Sequence, residues 1–496
     1  MASSLVDDPR HPSLKSIIRS ISYISQTQYI ITNKAATSMR YLSSIAALIP
    51  LLLLSSNVEG FSLPTRDSSL QRMNCGLLRL RMTSPQDISG DSSATTATTS
   101  KSEQSRRSAI QRLVSVAAAT TSFAFLPAVA FAANEDKVHI SAYWNAVDGL
   151  MSLDEGKKFV SFDSSAYKAM LDDPARTPFF EKAIIKRLNS APNGPKSQTV
   201  LDLGTGPFAV FAIIAAQAGA GKVYAIEANA QAVRSARATV KKLGFQDIIE
   251  VLEGFSNEIT LTEKADFAVA EIVGSIASEE GAYATILDAH RRLIKEPLNP
   301  SNWIPSRIQT YASPASYTLH NLFQPPEFDW TKLNGEPVRF NCRDEGLQLL
   351  SDPMVVEDIS FADIKPNGLN KREVKFVIDG ERIEDNTSTL YEEFRSARLP
   401  KEEAEKMAKA TGSSLSGIAL WSRLILDGEG TIDVNSRAFP TGGHQKSHWQ
   451  TVLPIMSDLP VPVKGGDEVV VNVNFDVSGD VLKPTSYRLD ADIIRK

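Results

Sequence analysis

The amino-acid sequence predicts an α/β domain with a Rossmann-like, doubly wound sheet, followed by an all-β domain built as a barrel or a sandwich. Between residues 200 and 304, short apolar runs alternate with segments of helical periodicity, which is typical of a parallel sheet covered by helices. From residue 305 to 496 the helical patterns nearly disappear, and short β-rich runs lie between turn residues. The second pattern favours a β-barrel or a β-sandwich.

The composition is that of an ordinary globular protein. The chain has 496 residues, of which 42% are hydrophobic and 22% charged, enough for two or more domains. The formal net charge of −5 argues against a general nucleic-acid-binding protein. Because there are two cysteines, and six histidines without HExxH spacing, we predict neither a disulfide framework nor a metal site.

The first 132 residues have the composition of targeting segments. An apolar run, SIAALIPLLLLSS, follows Arg40 and resembles a secretory-type signal, and the Ser- and Thr-rich stretch 62–105 predicts an unstructured transit segment. Phe61 at their junction resembles the bipartite plastid presequences of algae. Paired Arg106 and Arg107 before a second apolar run resemble a twin-arginine signal into the thylakoid lumen. We therefore expect a plastid protein, in the lumen or alternatively in the stroma, without stable membrane insertion of the mature chain.

Residues 133–199 are expected to form N-terminal helices. The segment AYKAMLDDPARTPFFEKAIIKRL places apolar residues three and four positions apart, and Pro174 and Pro178 divide it into two helices. Within the barrel domain, residues 393–412 are predicted to form a polar, solvated helical insertion.

The sequence LDLGTG ends one predicted strand and opens a helix, which is typical of a nucleotide-cofactor site. Gly204 and Gly206 lack side chains and allow the backbone to approach a ligand, while the helix N-terminus presents unpaired N–H groups. One strand later, Glu227 can accept hydrogen bonds from both hydroxyls of a ribose. The string GTGPFA also fits GxGxxA, so these residues alone leave a nicotinamide-dependent dehydrogenase open.

The longer stretch 200–236 closely resembles the first motifs of class I S-adenosylmethionine-dependent methyltransferases, which have a seven-stranded Rossmann-like domain. This resemblance implies S-adenosyl-L-methionine as the cofactor, with Asp202, Gly204 and Gly206 forming its loop and Glu227 binding its ribose. Upstream, MLDDPARTPFF resembles the equivalent segment of protein arginine methyltransferases. Arg176 matches their arginine that pairs with the cofactor carboxylate.

Further motifs resemble the same family in the same order. AEIVGSIASEEG is similar to its double-glutamate loop, and the nine-residue register favours Glu280 over Glu279 as the partner of Glu271. NWIPSRIQTYASP is similar to the strand that leads into its barrel, and GGHQKSHWQTVLP to its threonine-histidine-tryptophan loop, here with His448 and Trp449. The resemblance covers about residues 160 to 495. It implies methylation of arginine in a protein or peptide.

These residue types suit chemistry on a guanidinium group. Glu271 and Glu280 can bind the cation through paired charge-assisted hydrogen bonds and direct one nitrogen at the methyl donor. His448 can hold a carboxylate or accept the released proton. Trp449 can line the substrate pocket and stack on the guanidinium.

Several positions depart from the family pattern. Phe208 stands at its third glycine, Asn257 at the acidic residue that meets the adenine amino group, and Ile272 and Val273 replace a tryptophan and a methionine. Two alternatives therefore stay open, a methyltransferase of a small plastid metabolite and a non-catalytic cofactor-binding or scaffold protein. Family members commonly dimerise through an arm early in the barrel, and residues 317–347 are the candidate arm of a homodimer.

Overall fold

The computed structural model describes residues 136–146, 151–154, 157–160, 164–326, 328–333, 335–341, 346–365, 369–437, 447–477 and 484–496. The targeting segments predicted over residues 1–132 lie outside this range. In the described part of the chain, no helix combines the length and the apolar character needed to cross a membrane.

The described residues form eight α-helices and twenty β-strands. The helices are α1 (Ser164–Leu171), α2 (Thr177–Asn189), α3 (Val210–Gln217), α4 (Ala230–Lys242), α5 (Ala282–Arg292), α6 (Thr318–Leu322), α7 (Gly380–Ser396) and α8 (Lys401–Gly412). The first ten strands are β1 (Lys137–Asn145), β2 (Met151–Asp154), β3 (Lys157–Val160), β4 (Thr199–Leu203), β5 (Lys222–Glu227), β6 (Ile249–Glu253), β7 (Phe267–Ala270), β8 (Trp303–Ile304), β9 (Arg307–Tyr317) and β10 (Val338–Asn341). The others are β11 (Leu347–Leu349), β12 (Met354–Ser360), β13 (Leu369–Val377), β14 (Ser414–Leu415), β15 (Gly417–Ile425), β16 (Asp433–Asn435), β17 (Gln450–Leu453), β18 (Val461–Pro462), β19 (Glu468–Asp476) and β20 (Ser486–Ile494).

The predicted Rossmann-like domain is a parallel sheet with strand order β6-β5-β4-β7-β8. Every residue of β4 and of β7 is buried, as expected for strands covered by helices on both faces. The fold class is confirmed, but the described sheet has five strands where we predicted seven. After Ile304 the chain enters the antiparallel strand β9 and does not return to this sheet.

The predicted barrel domain is built from two antiparallel sheets. One has the order β1-β20-β19-β13, and the other contains β10-β17-β15-β9-β11 with β12 and β16 at its side. Strand β19 alternates buried and less buried residues, the period expected of a strand with one face on a core. Apolar side chains from both sheets belong to one hydrophobic cluster, which forms the core of the barrel.

The N-terminal part of the described chain differs from our expectation of helices. Residues Lys137–Asn145 form a strand that pairs along its whole length with β20 at the other end of the chain. Val138, Ile140 and Trp144 are buried on one face, which is the period of two of a strand rather than the spacing of a helix. The two helices predicted around the prolines are confirmed as α1 and α2.

The predicted helical insertion over residues 393–412 begins earlier and is a pair of helices. Helix α7 starts at Gly380, where the Asp379 side chain accepts hydrogen bonds from two backbone N–H groups of the first turn. Leu390, Phe394 and Met407 belong to a buried cluster between the two helices. The insertion is therefore a small packed unit rather than a solvated helix.

The candidate dimerisation arm, residues 317–347, packs on the barrel. The Tyr317 ring contacts the rings of Phe340 and Trp330, with centroids 4.9 Å and 5.9 Å away. Trp330 is buried in the same cluster as barrel residues such as Trp421. The dimer itself stays a prediction.

Candidate active site

A cavity of about 230 Å³ lies at the carboxyl ends of β4, β5 and β7. In the order of the parallel sheet, β4 has β5 on one side and β7 on the other, so the cavity occupies the switch point where ligands bind in such sheets. The predicted site residues that line it are Arg176, Gly204, Gly206, Glu227, Asn257, Glu271, Glu280 and His448. Asp202 and Trp449 are not among the described lining residues.

The glycine loop has the backbone geometry that the sequence led us to expect. Gly204 and Gly206 have φ of +73° and +66°, values that other residues rarely adopt. A Cβ on Gly204 would lie 2.9 Å from the Ile272 side chain, and one on Gly206 would lie 3.6 Å from the Tyr167 ring. A side chain at Gly204 would therefore crowd Ile272, and both glycines lie on the wall of the cavity.

The carboxylate of Glu227 fastens this loop to the end of β5. One oxygen accepts a hydrogen bond from the Gly206 N–H at 2.9 Å, and the other accepts from the Asn229 N–H at 2.8 Å. Burial raises the pKa of Glu227, and these backbone donors oppose that effect. An ionised carboxylate has about four acceptor sites, so Glu227 can still bind ribose hydroxyls.

Asp202 lies beneath the loop. Its Oδ2 accepts hydrogen bonds from the Thr205 hydroxyl at 2.5 Å and from the Ala212 N–H at 3.0 Å. Burial raises the pKa of Asp202 to about 7, although both hydrogen bonds act to lower it. Asp202 thus connects the loop to helix α3, and we infer that it shapes the cofactor site from behind.

Arg176, directly before α2, is hydrogen bonded both to Glu271 and to the backbone of α1. Its Nε donates a hydrogen bond to Glu271 at 2.7 Å, its Nη2 donates to the same carboxylate oxygen, and its Nη1 donates to the Met170 carbonyl at 3.1 Å. Both side chains of the ion pair are less than one-tenth exposed. Three of the five guanidinium N–H groups are engaged, and two remain for a ligand.

Glu280 differs from Glu271 in its surroundings. Within the described part of the chain, no hydrogen bond or ion pair connects its carboxylate to another residue. Burial raises the pKa of Glu280 to about 8, and the negative charges of Glu271 and Glu279 add to that effect. Burial also raises the pKa of Tyr167, together with the charges of Glu227 and Glu280, so this phenol stays protonated beside both carboxylates.

His448 reaches the cavity from the barrel domain and is bound by an aspartate that sequence reasoning missed. Its Nδ1 lies 2.7 Å from Asp173 Oδ2, and its backbone N–H donates to the same oxygen at 2.9 Å. Burial alone would raise the pKa of Asp173, but the hydrogen bonds from His448 lower it. Asp173 lies in the segment LDDPAR between α1 and α2. Because Asp172 stands beside it, the sequence alone does not distinguish which of the two aspartates contacts His448.

Trp449 lies behind the cavity. Its Nε1 donates a hydrogen bond to the Val273 carbonyl at 2.7 Å, and the residue is only 3% exposed. The next residue, Gln450, donates its backbone N–H to the Ser275 hydroxyl at 3.0 Å. The placement supports a role in fixing the segment between the two glutamates, and contact with a substrate stays a prediction.

The cavity therefore combines a glycine-rich cofactor loop at the switch point of a parallel sheet with two glutamates and a histidine supplied in part by a barrel. This combination defines a Rossmann-like transferase that binds a nucleoside cofactor beside an acidic substrate pocket. The described residues contain no group of three or more His, Cys, Asp or Glu side chains arranged to bind a metal.

A family model and two relatives agree with this class. The family model of ribosomal protein L11 methyltransferase (PrmA) matches residues 183–280. Protein arginine N-methyltransferase PRMT10 of Arabidopsis thaliana is 27% identical over 320 residues, which cover 61% of this chain and 77% of the relative. Protein arginine N-methyltransferase 6 of Danio rerio is 27% identical over 230 residues, 43% of this chain and 62% of the relative. The crystal structure of Arabidopsis thaliana protein arginine methyltransferase 10 has a TM-score of 0.45 at 21% identity, covering 67% of this chain and 98% of that one.

The family model and the relatives confirm two predictions. The protein is a methyltransferase, and it resembles the protein arginine methyltransferases. The same matches favour this class over the dehydrogenase that the GxGxxA string left open.

Proposed function

We propose that this protein transfers a methyl group from S-adenosyl-L-methionine to a guanidinium nitrogen of arginine in a protein or peptide. The observation that carries the proposal is one cavity lined both by the cofactor loop and by the glutamate pair. Gly204, Gly206 and Glu227 lie on its walls together with Glu271 and Glu280.

The residues on the cofactor side fit S-adenosyl-L-methionine. Gly204 and Gly206 line the cavity without side chains of their own, and Glu227 has acceptor sites for ribose hydroxyls. The two remaining N–H groups of Arg176 suit the cofactor carboxylate, and Asn257 lies at the exposed rim, where the resemblance places the adenine. When bound, the cofactor supplies an electrophilic methyl group on a sulfonium.

The charges around the substrate side favour a cation. Three carboxylates, Glu271, Glu279 and Glu280, lie on one loop, and two guanidinium groups pair with the first two of them. With all three carboxylates ionised, one negative charge is left at Glu280. A single guanidinium would neutralise it, and it would also supply the hydrogen-bond donors that the Glu280 carboxylate lacks.

We propose that His448, which lines the cavity, receives the proton that the methylated nitrogen loses. Because a carboxylate only accepts hydrogen bonds, the Nδ1 that faces Asp173 carries the proton. Nε2 of the neutral ring is then the nitrogen that can accept another, and the Asp173 charge stabilises the imidazolium that forms.

The proposal is tested by transfer of radiolabel from S-adenosyl-L-methionine to an Arg-Gly-rich peptide, with methylarginine identified after acid hydrolysis. We expect label in methylarginine and a loss of about 100-fold or more in kcat/KM for Glu280→Gln, since two charge-assisted hydrogen bonds of about 1.5–3 kcal/mol each are weakened. Glu373→Gln, an exposed carboxylate on β13, is the matched control and should retain wild-type activity.

Other outcomes of this assay and of a calorimetric titration would identify the two alternative functions. Label that appears only in small molecules of a plastid extract would support a metabolite methyltransferase. Cofactor binding by calorimetry without any transfer would support the scaffold protein. Equal peptide methylation by the wild type and Glu280→Gln would contradict the proposed role of the glutamate pair.

We also propose that the protein acts in the plastid, on the strength of the targeting composition of residues 1–132. A fluorescent protein fused behind these residues should enter the plastid of an algal cell. Replacement of Arg106 and Arg107 by lysine distinguishes the compartments, because it should retain a lumenal reporter in the stroma. A cytosolic reporter would refute the proposal.

A homodimer that involves residues 317–347 is proposed on the resemblance alone. Sedimentation of the mature chain at micromolar concentration should give twice the monomer mass. A monomer under these conditions would refute it.

A further inference from the structure

Glu279 stands directly before Glu280, and of the two adjacent carboxylates Glu279 is paired with an arginine, whereas no hydrogen bond or ion pair connects Glu280 to another described residue. Glu279 is buried, and its side chain is 4% exposed. Its Oε2 accepts a hydrogen bond from Arg339 Nη1 at 3.3 Å, and its Oε1 accepts another from Arg339 Nη2. The pair is bidentate, the geometry that makes guanidinium–carboxylate contacts strong and well oriented.

The local backbone fixes where the Glu279 side chain lies. The Glu279 N–H donates to the Ile276 carbonyl at 2.9 Å and closes a turn. A Cβ on Gly274 would lie 2.6 Å from Glu279 Cβ and 3.1 Å from its Oε2, so the absence of a side chain at Gly274 makes room for this carboxylate. We call residues 271–281 the glutamate loop.

Arg339 belongs to the barrel, and its strand is adjacent to the one that follows Trp449. In the register of β10 and β17, Arg339 is opposite Val452. The barrel thus contacts the glutamate loop at two separate points: Arg339 of β10 binds Glu279, and Trp449, directly before β17, donates to the Val273 carbonyl. Arg176 holds the other end of the loop at Glu271.

The charge of Arg339 matters to Glu280. A buried carboxylate without its cation is costly, and a like charge nearby disfavours ionisation of a second carboxyl group. The charged and titratable groups around Glu280 come from several elements: Glu271 and Glu279 of the glutamate loop, Tyr283 of α5, Arg176 before α2, Tyr167 of α1, Glu227 of β5, Arg339 of β10 and His448 before β17. Of these, Arg339 is the cation that contacts Glu279.

We propose that Arg339 is a positioning residue for the glutamate loop. It binds and neutralises Glu279, so that Glu280 is the carboxylate left for a cationic substrate. This inference rests on the proposed arginine methylation. It adds a barrel residue, outside the cofactor motifs, to those that set the affinity for the substrate.

The test uses the full mature chain and four variants: Arg339→Met, Arg339→Lys, Glu279→Gln and the double variant Glu279→Gln with Arg339→Met. Arg423→Met is the matched control, because Arg423 is also a half-buried barrel arginine paired with a carboxylate, Asp433 on β16, 3.0 Å away. The measurements are kcat/KM for an Arg-Gly-rich peptide, Kd for S-adenosyl-L-methionine by calorimetry, and thermal stability.

A further readout does not depend on turnover. Glutamate side-chain carboxyls are labelled with ¹³C and titrated by NMR, and the Glu280 resonance is assigned by its loss in Glu280→Gln. We expect Arg339→Met to raise the Glu280 midpoint by about one pH unit, a tenfold change in its ionisation constant, and to lower kcat/KM for the peptide about tenfold with an unchanged Kd for the cofactor. The double variant should restore both quantities, and Arg339→Lys should restore them in part.

Three results would overturn the inference: an unchanged Glu280 midpoint in Arg339→Met, a double variant as impaired as the single one, or equal losses in cofactor affinity and peptide activity. If the wild type methylates no arginine, the proposed function fails, while the NMR midpoints still decide whether Arg339 governs the ionisation of Glu280.

Discussion

Methylation of an arginine peptide should become about tenfold more efficient between pH 7 and pH 9. Glu280 has a pKa of about 8 because its carboxylate is desolvated and lies beside the charges of Glu271 and Glu279. A carboxyl group with a raised pKa is neutral below that value, so at pH 7 about one-tenth of the free enzyme carries the Glu280 charge, and at pH 9 about nine-tenths does. Ionising the group at pH 7 costs about 1.4 kcal/mol, which the bound guanidinium must supply.

The assay is kcat/KM as a function of pH from 6 to 9.5 at saturating cofactor, because kcat/KM reports ionisations of the enzyme before the peptide binds. The substrate guanidinium stays protonated throughout this range and contributes nothing to the profile. In Glu280→Gln the residual activity should be low and should lack the rise near pH 8. A flat wild-type profile between pH 7 and 9, or the same rise in Glu280→Gln, would refute the reasoning.

Two further predictions concern binding and stability. Gly204→Ala should weaken S-adenosyl-L-methionine binding at least tenfold by calorimetry, because its Cβ would lie 2.9 Å from a neighbouring side chain in the cavity. Gly244→Ala is the control: Gly244 has a similar φ of +77° and open space around it, so the affinity should be unchanged. Trp449→Phe should lower the free energy of unfolding by about 1–3 kcal/mol in urea denaturation, because the buried Val273 carbonyl loses its donor. Trp144→Phe is its control, since the buried Trp144 Nε1 has no hydrogen-bond partner among the described residues. An equal loss in both tryptophan variants would contradict the role of that hydrogen bond.

The parallel sheet and its cofactor loop could be predicted because their signals are local. Gly204, Gly206 and Glu227 lie at strand ends whose apolar runs are unambiguous, and each lines the cavity as expected. The same holds for the longer barrel strands, such as β9, β15, β19 and β20, which coincide with β-rich runs of the sequence, whereas short strands such as β14 and β18 were not predicted.

The elements that the sequence concealed depend on distant partners. Strand β1 contains polar residues at every second position, and its apolar face is buried only because the strand pairs with the distant strand β20. Arg339 in EPVRFN has no neighbours that mark it, since its partner Glu279 is 60 positions away. Asp173 likewise obtains its role from a contact with His448 in another domain, and the position of Trp449 behind the cavity depends on its hydrogen bond to the Val273 carbonyl. Neither contact can be inferred from the sequence.

The pairing of β1 with β20 has a consequence for how the protein is made. His139 and Asp492 are hydrogen bonded although they are 353 positions apart. At about 5–20 residues per second, the ribosome needs on the order of 20–70 s to synthesise the chain between them, and during that time the first strand has no partner. A chain shortened by its last strand would leave β1 unpaired and one side of β19 open, and exposed strand edges favour aggregation. The final ten residues are therefore a poor place for a truncation or a tightly fused tag, because a change there would disrupt the pairing of β1 with β20.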